Sequence, residues 1–339
     1  MCKTRYREGA SEGEIKMTSE VDFNHVLTSK ANAGDSEAMF QLGVSCAFGR
    51  GAELDLEKAL HWLKKAAKAG HTVAAEVLKD IGMTVNASGG KSRSGGGGRC
   101  LSTGDTKTIT LPGGAEMEMI YCAPGSFMMG SPEDEEGRYD DETQHKVTLT
   151  RGFWLGKYPV TQSQWKSVMG GNPSDFKGDA NPVDSVTWDD CKEFIKKINS
   201  RFNFTARFPT EAEWEYACRA GTEGAYSGTG DLDDMGWYDG NSDGRTHPVG
   251  EKEPNAWGFH DMHGNVYEWC GDWYGSYPHG VVTDPEGPSS GGNRVLRGGC
   301  WIDFAGLCRS AFRVSRDPGD GSYDVGFGFR LCCSAGPHE

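Results

Sequence analysis

The C-terminal segment from Arg294 constrains this chain more than any other. A fixed frame runs through it: Arg294-Val-Leu-Arg-Gly-Gly299, Trp301, Cys308-Arg-Ser-Ala311, Arg313, Pro318 and Gly328-Phe-Arg-Leu331. Between the frame residues lie side chains that follow neither the 3.6-residue period of a helix nor the two-residue period of a strand. Unpatterned side chains on a fixed frame are what binding loops look like on a rigid scaffold. The alphabet at these positions is also narrow. Roughly 20 positions between Cys300 and Phe327 hold no Lys, Glu, Gln, Met or Trp, types that make up about a fifth of ordinary composition. What remains is what codons ending in a fixed pyrimidine encode. Randomising the adenines of an asparagine codon yields that set.

The chain has 339 residues, enough for two domains and a substantial core in one of them. With 49 acidic and 35 basic residues it carries a formal charge of −14. That excess argues against nucleic acid, whose phosphates demand Lys/Arg clusters, and against docking on anionic lipid. No run of apolar residues is long enough to span a bilayer. The opening Met1-Cys-Lys-Thr-Arg-Tyr-Arg has no apolar core of a signal peptide. Eleven cysteines are an odd number, and a chain this long needs no disulfide framework. Cys46, Cys191, Cys218 and Cys270 are expected to be buried thiols. Cys2 has two readings: an ordinary residue of a cytoplasmic protein, or the lipid-bearing cysteine of a mature lipoprotein.

Three regions are legible. Residues 1–85 form a small all-α repeat region: Ala31, Ala33, Gly34, Ala38 and Leu42 recur 36 residues later as Ala67, Ala69, Gly70, Ala74 and Leu78. Between the copies, Leu56, Ala59, Leu60, Leu63 and Ala67 share one face of an amphipathic helix, with Asp55 placed to cap it and Gly70 to end it. Residues 86–105 are Gly/Ser-rich and read as a linker. From 106 to 339 the chain is rich in Gly and aromatics, with short β-like runs at Lys107–Leu111 and Lys146–Thr150. Three helices are expected there. One follows Thr161, and one buries Trp188, Cys191, Phe194, Ile195 and Ile198 after Thr187. The third opens with a capping box of Thr210 and Glu213. Glu211, Glu213 and Glu215 read as helix charges and caps. The whole predicts an α+β domain with little regular sheet, held by large aromatics.

The stretches Ala33-Gly-Asp-Ser-Glu-Ala-Met-Phe-Gln-Leu-Gly43, Gly49-Arg-Gly51 and Asp55-Leu-Glu-Lys-Ala-Leu-His-Trp-Leu-Lys-Lys-Ala-Ala-Lys-Ala-Gly-His71 resemble a Sel1-type repeat, which implies a protein partner at the helical region. Residues 106–335 resemble the formylglycine-generating enzyme family. The likeness rests on Ala123-Pro-Gly-Ser-Phe-Met-Met-Gly-Ser131, Lys157-Tyr-Pro-Val-Thr161, Pro182-Val-Asp-Ser-Val-Thr-Trp188 and Phe208-Pro-Thr-Glu-Ala-Glu-Trp-Glu-Tyr-Ala217. It continues through Asn255-Ala-Trp-Gly-Phe-His-Asp-Met262, Gly264-Asn-Val-Tyr-Glu-Trp269 and the C-terminal frame. It implies a C-type-lectin-like fold. The family's oxidases bind copper with two cysteines five residues apart; here the second position is Cys308 and the first is Asp303. One thiolate and one carboxylate do not make the same soft-metal site, so no enzyme is expected and no cofactor is required. A family calcium site would fall on Gly264, Val266 and Glu268, whose oxygens suit a hard cation. The other reading of Glu268 is a carboxylate that hydrogen-bonds the protein itself.

The same frame resembles the variable proteins of diversity-generating retroelements, of the Treponema variable protein type. That resemblance implies a diversified segment, 300–327, that binds a protein or glycan. The candidate surface is Cys300, Ile302, Asp303, Phe304, Gly306, Leu307, Phe312, Val314, Ser315, Arg316, Asp317, Gly319, Asp320, Gly321, Ser322, Tyr323, Asp324 and Phe327. Its mix of aromatic, small polar and charged residues is that of a paratope. A cell-surface lipoprotein is the location the resemblance implies. The alternatives are a copper-dependent formylglycine-generating oxidase, acting through Cys308, and an adaptor built on the helical repeat.

Overall fold

The computed structural model describes residues 56–69 and scattered positions from 30 to 78, and then 101–201, 205–278, 280–320 and 326–335. The chain divides into two compact units, Met1–Cys100 and Leu101–Glu339.

In the first unit, helix α1 (Leu56–Lys68) buries Ala59, Leu63 and Ala66 against Ala31, Ala38, Met39, Leu42, Ala74 and Leu78. Leu60 and Ala67 flank this cluster. The small residues matter because they set the helix spacing: a Cβ on Gly43 would stand 2.9 Å from the Leu63 side chain. Asp35 accepts a hydrogen bond from the Ala38 amide at 3.0 Å, a cap on the helical turn that follows. The Leu56 side chain and the expected caps Asp55 and Gly70 lie outside the described residues, as does Cys46.

The second unit starts at Leu101, which packs on the main core. The Ser102 amide donates to Asp105 at 2.9 Å, so the last five residues of the expected linker join the folded unit. Strand β1 (Thr106–Thr110) pairs antiparallel with β2 (Glu116–Cys122), and β3 (Gly125–Met129) with β4 (His145–Leu149). The two strands read from sequence are β1 and β4, each one residue earlier than expected. Strand β5 (Phe153–Gly156) lies beside β2.

Helices α2 (Gln162–Met169) and α3 (Trp188–Asn199) follow. After the two-residue β6 (Ala206–Arg207) comes α4 (Glu211–Arg219). All three helices begin with a reciprocal capping box, on Thr161/Gln164, Thr187/Asp190 and Thr210/Glu213. The expected face of α3, with Trp188, Cys191, Phe194, Ile195 and Ile198, is buried. Cys218 and Cys270 are buried as well.

Helix α4 departs from expectation. Glu213 does cap, but every one of the nine residues of α4 is buried, Glu211 and Glu215 included. They are not surface helix charges; they face buried arginines.

A short α5 (Leu232–Met235) leads through β7 (Gly236–Trp237) to β8 (His263–Gly264) and β9 (Tyr267–Trp273). The chain then runs through β10 (Val282–Thr283), β11 (Arg294–Arg297), β12 (Arg313–Arg316), β13 (Phe327–Phe329) and β14 (Cys332–Ser334). One sheet has the order β1-β2-β5-β14-β6; a second is β12-β11-β9-β13; β10-β4-β3 and β7-β8 are smaller. Strand β14 inserts between β5 and β6, so the C-terminal end of the domain closes the sheet that its N-terminal strands began. Sheet β12-β11-β9-β13 carries most of the C-terminal frame.

The Thr187 box is solvent-exposed and touches no site. Thr187→Ala removes the acceptor that holds the Asp190 amide at 3.0 Å. It is expected to lower the stability of the domain by about 1 kcal/mol, read as a shift in the urea midpoint at unchanged slope.

Candidate functional site

Strands β11 and β12 are an antiparallel pair, Arg294 opposite Arg316 and Arg297 opposite Arg313. The loop that joins them, 298–312, contains the first half of the candidate surface. Gly298 and Gly299 turn the chain at φ +96° and +72°, and a Cβ on Gly299 would meet the Cys308 sulfur at 2.6 Å. Only glycine fits that approach.

The frame arginines point inward. Arg297 is fully buried, donating to Glu215 and to the Phe312 carbonyl. Arg313 makes two bonds to Glu211 at 2.7 and 2.8 Å. Arg309 reaches Glu135 at 2.6 Å and Glu142 at 2.7 Å, and its Nε donates to the Gly306 carbonyl at 3.0 Å. Arg330 makes two bonds to Glu268, at 2.8 and 3.0 Å. Buried charges persist only when paired like this.

The loop itself is held by its backbone. The Trp301 carbonyl accepts from Ser242 Oγ at 2.7 Å, Asp303 from the Asp239 amide at 2.9 Å, and Ala305 from Tyr226 OH at 2.8 Å. The Cys308 carbonyl accepts from His263 Nδ1 at 2.8 Å. The tautomer follows from the other nitrogen, which receives the Ser227 amide at 3.0 Å and so carries no proton. Burial pulls the pKa of His263 down to about 4, which keeps the ring neutral and in this role. These clamps come from residues outside the predicted variable set. Sequence reasoning missed them because Tyr226, Asp239 and Ser242 sit in irregular chain and His263 in a two-residue strand, with no periodicity to mark them.

With the backbone tied down, the side chains divide. Ile302 and Phe304 are 49% and 55% exposed, unusual for residues of their size. Arg316, Asp317 and Gly319 are exposed; Asp303, Gly306, Leu307, Val314, Ser315 and Asp320 are half-buried. Gly321, Ser322, Tyr323 and Asp324 lie outside the described residues. Three candidates are corrected: Cys300, Phe312 and Phe327 are buried in the main core, where Phe327 packs on Tyr267 and Trp269. They support the surface from below.

Asp303 is the residue that the resemblance read from the sequence sets at the oxidases' first cysteine. Its carboxylate accepts the Cys300 amide at 2.9 Å and hydrogen-bonds Tyr267, and burial raises its pKa. Burial also pushes the Cys300 and Cys308 thiols well up. Among the described residues no group of three His, Cys, Asp or Glu is placed to hold a metal ion.

The expected calcium ligands do not fit a cation. Both oxygens of Glu268 are taken by Arg330, and one also accepts from Trp214 Nε1 at 2.7 Å. The Gly264 carbonyl accepts from the Val266 amide at 2.9 Å. A guanidinium already supplies the positive charge that Ca²⁺ would bring.

Residues 108–334 match the model of the sulfatase-modifying factor enzyme 1-like domain, and residues 36–71 match the Sel1 repeat. The chain therefore belongs to the formylglycine-generating enzyme family, with its C-type-lectin-like fold. It is 32% identical over 238 residues to the chaperone protein LppX of Paenibacillus barcinonensis, covering 55% of this chain and 79% of that one. It is 35% identical over 196 residues to the formylglycine-generating enzyme of Streptomyces coelicolor, covering 52% of this chain and 59% of the enzyme. This chain thus spans about three fifths of the enzyme's length. Among solved structures, Treponema denticola variable protein 1 superposes with a TM-score of 0.62 at 32% identity, over 68% of this chain and 99% of that one.

Two outcomes are expected. Glu268→Ala leaves Arg330 buried and unpaired and should cost about 3–5 kcal/mol, while millimolar Ca²⁺ or a chelator leaves the melting temperature of the unmodified protein unchanged. A calcium-dependent rise would restore the metal reading. For His263, the folded pKa lies below the unfolded one, so its contribution to stability is present above about pH 6.5 and is lost as pH falls toward 4. Denaturation at stepped pH should show a steeper acid loss in the unmodified protein than in His263→Gln.

Proposed function

We propose that this protein binds a protein or glycan ligand through the loop 300–307 together with the outer end of β12 and the segment after it. The observation that carries this reading is the division of labour in the loop. Its carbonyls are held by Ser242, Asp239, Tyr226, Arg309 and His263, while Ile302 and Phe304 stand out into solvent. A loop fixed by its backbone keeps its shape when its side chains change, and preorganised loops lose little entropy on binding. Phe304 supplies rigid contact area; Asp303, Arg316 and Asp317 set the charge. The restricted alphabet of the segment and the likeness to a variable protein support diversification as the source of these side chains. An oxidase reading would have a carboxylate, Asp303, in place of the first thiolate of its soft-metal pair.

Display at the cell surface through a lipid on Cys2 belongs to the same proposal, as does a protein partner for the helical repeat. Cys2 lies outside the described residues, and no helix among the described residues is long and apolar enough to cross a membrane.

A displayed library tests the central claim. Randomising the exposed Ile302, Phe304, Arg316 and Asp317 together should leave most clones folded, each change costing about 0.5 kcal/mol or less. Binders to unrelated target proteins should then be selectable. A matched library at Cys300, Phe312 and Phe327 should be mostly unfolded, since Phe→Ala in a core costs about 3–5 kcal/mol. Equal loss of folding in both libraries would overturn the reading. The diversification itself is checked in DNA: a near-copy of codons 294–331 differing only at adenines, beside a reverse transcriptase gene.

A further inference from the structure

The exposed Ile302 and Phe304 have fixed neighbours at both ends of their loop, and these neighbours lie outside the segment 300–327. At the end of the loop runs the turn 132–142. Arg309 holds it there, donating to Glu135 at 2.6 Å, to Glu142 at 2.7 Å and to the Gly137 carbonyl at 2.6 Å. The turn also holds itself. The Glu135 amide donates to the Pro132 carbonyl at 3.1 Å, and the Arg138 amide to the Glu135 carbonyl at 3.2 Å. A Cβ on Gly137 would stand 3.9 Å from the Gly306 Cα, and one on Gly306 would stand 3.1 Å from the Phe304 ring. The turn therefore lies next to Phe304. At the start of the loop lies the segment 238–245. Its Ser242 hydroxyl and Asp239 amide hold the carbonyls of Trp301 and Asp303, on either side of Ile302.

Both neighbours are acidic. Together they hold nine acids and two cations, Arg138 and Arg245, against 49 and 35 in the whole chain. Glu135 and Glu142 are neutralised by Arg309. Glu133, Asp134, Glu136 and Asp140 are exposed, and so are Asp239 and Asp243 at the other end. Two large apolar side chains thus stand in solvent with carboxylates at both ends of their loop. An apolar centre with a polar rim is the layout of a protein interface. A rim of one sign attracts the opposite charge, speeds its arrival and repels its own sign. A neutral sugar gains nothing from such a rim, and an acidic glycan is repelled by it. A basic polypeptide gains both the apolar contact and the attraction.

We propose that the partner of this loop is a basic protein segment, whose apolar side chains seat on Ile302 and Phe304 and whose flanking lysines or arginines face the carboxylates of 133–140 and of Asp239 and Asp243. This assignment rests on the loop being the binding surface proposed above. The acidic neighbours stay constant while the loop side chains vary. The constant part admits basic partners, and the variable part selects among them.

The test pans a displayed library of random dodecapeptides on the full chain. Clones that no longer bind Ile302→Ser/Phe304→Ser are scored as loop-dependent. They are expected to be enriched in Lys and Arg about twofold or more over the unpanned library. Asp134→Asn/Glu136→Gln should slow their association about threefold or more at low salt, and the difference should shrink at high salt as screening tightens. Glu116→Gln/Glu118→Gln removes the same charge from exposed positions of β2, in the other large sheet, and should leave association nearly unchanged. Loop-dependent clones with no excess of Lys and Arg would overturn the basic-partner assignment and leave the loop reading standing. Association no slower in the turn variant than in the β2 variant would do the same. If no recovered clone depends on Ile302 and Phe304, the loop reading falls and this assignment falls with it.

Discussion

The C-terminal half of this domain depends on guanidinium groups buried inside it. Arg297, Arg309, Arg313 and Arg330 are all frame residues, and all are paired with glutamates from distant chain: Glu215 and Glu211 of α4, Glu142 and Glu135 of the loop before β4, and Glu268 of β9. Arg309 with Glu142, Arg313 with Glu211 and Arg330 with Glu268 make two bonds each, Arg297 makes one to Glu215, and all four also hold a backbone carbonyl. Such pairs add little net stability over apolar packing, but losing one partner costs about 3–5 kcal/mol. They therefore act as position markers. The loops that hang from the frame can end in only one place.

The same logic separates scaffold from surface. Backbone carbonyls are identical at every residue, so a loop held through them is indifferent to its side chains. Gly298 and Gly299 let the chain turn directly over Cys308, and His263, neutral because it is desolvated, fixes the Cys308 carbonyl. Above that floor, Ile302 and Phe304 have no packing duty. Below it, Cys300, Phe312 and Phe327 do, and they share the core with Trp269 and Leu296. Members of one family can thus differ in chemistry while keeping one shape.

Much of this was legible beforehand. The cap at Thr161 and the capping box of Thr210 and Glu213 marked the starts of α2 and α4, because capping is a local interaction that needs only four residues, while the short α5 went unread. The apolar face of α3 followed from its period. The frame was legible as a frame. The misreadings have a common cause. Glu211 and Glu215 look like solvent-facing helix charges, and Phe312 and Phe327 look like interspersed contact residues, because burial in this domain does not follow a period. Glu268 has the chemistry of a calcium ligand, and only the arrival of Arg330, 62 residues away, shows that its charge is already met.

The sequence by itself determined the division into a helical repeat and a Gly- and Trp-rich domain, the helix starts, the family and the residues that make up the frame. Local hydrogen bonding and motif spacing are written in neighbouring residues, so they survive being read along a line. The tertiary structure decided which frame residues point inward and which loop side chains reach solvent. Those outcomes turn on desolvation and on partners brought together from distant chain, and neither is a property of any single stretch.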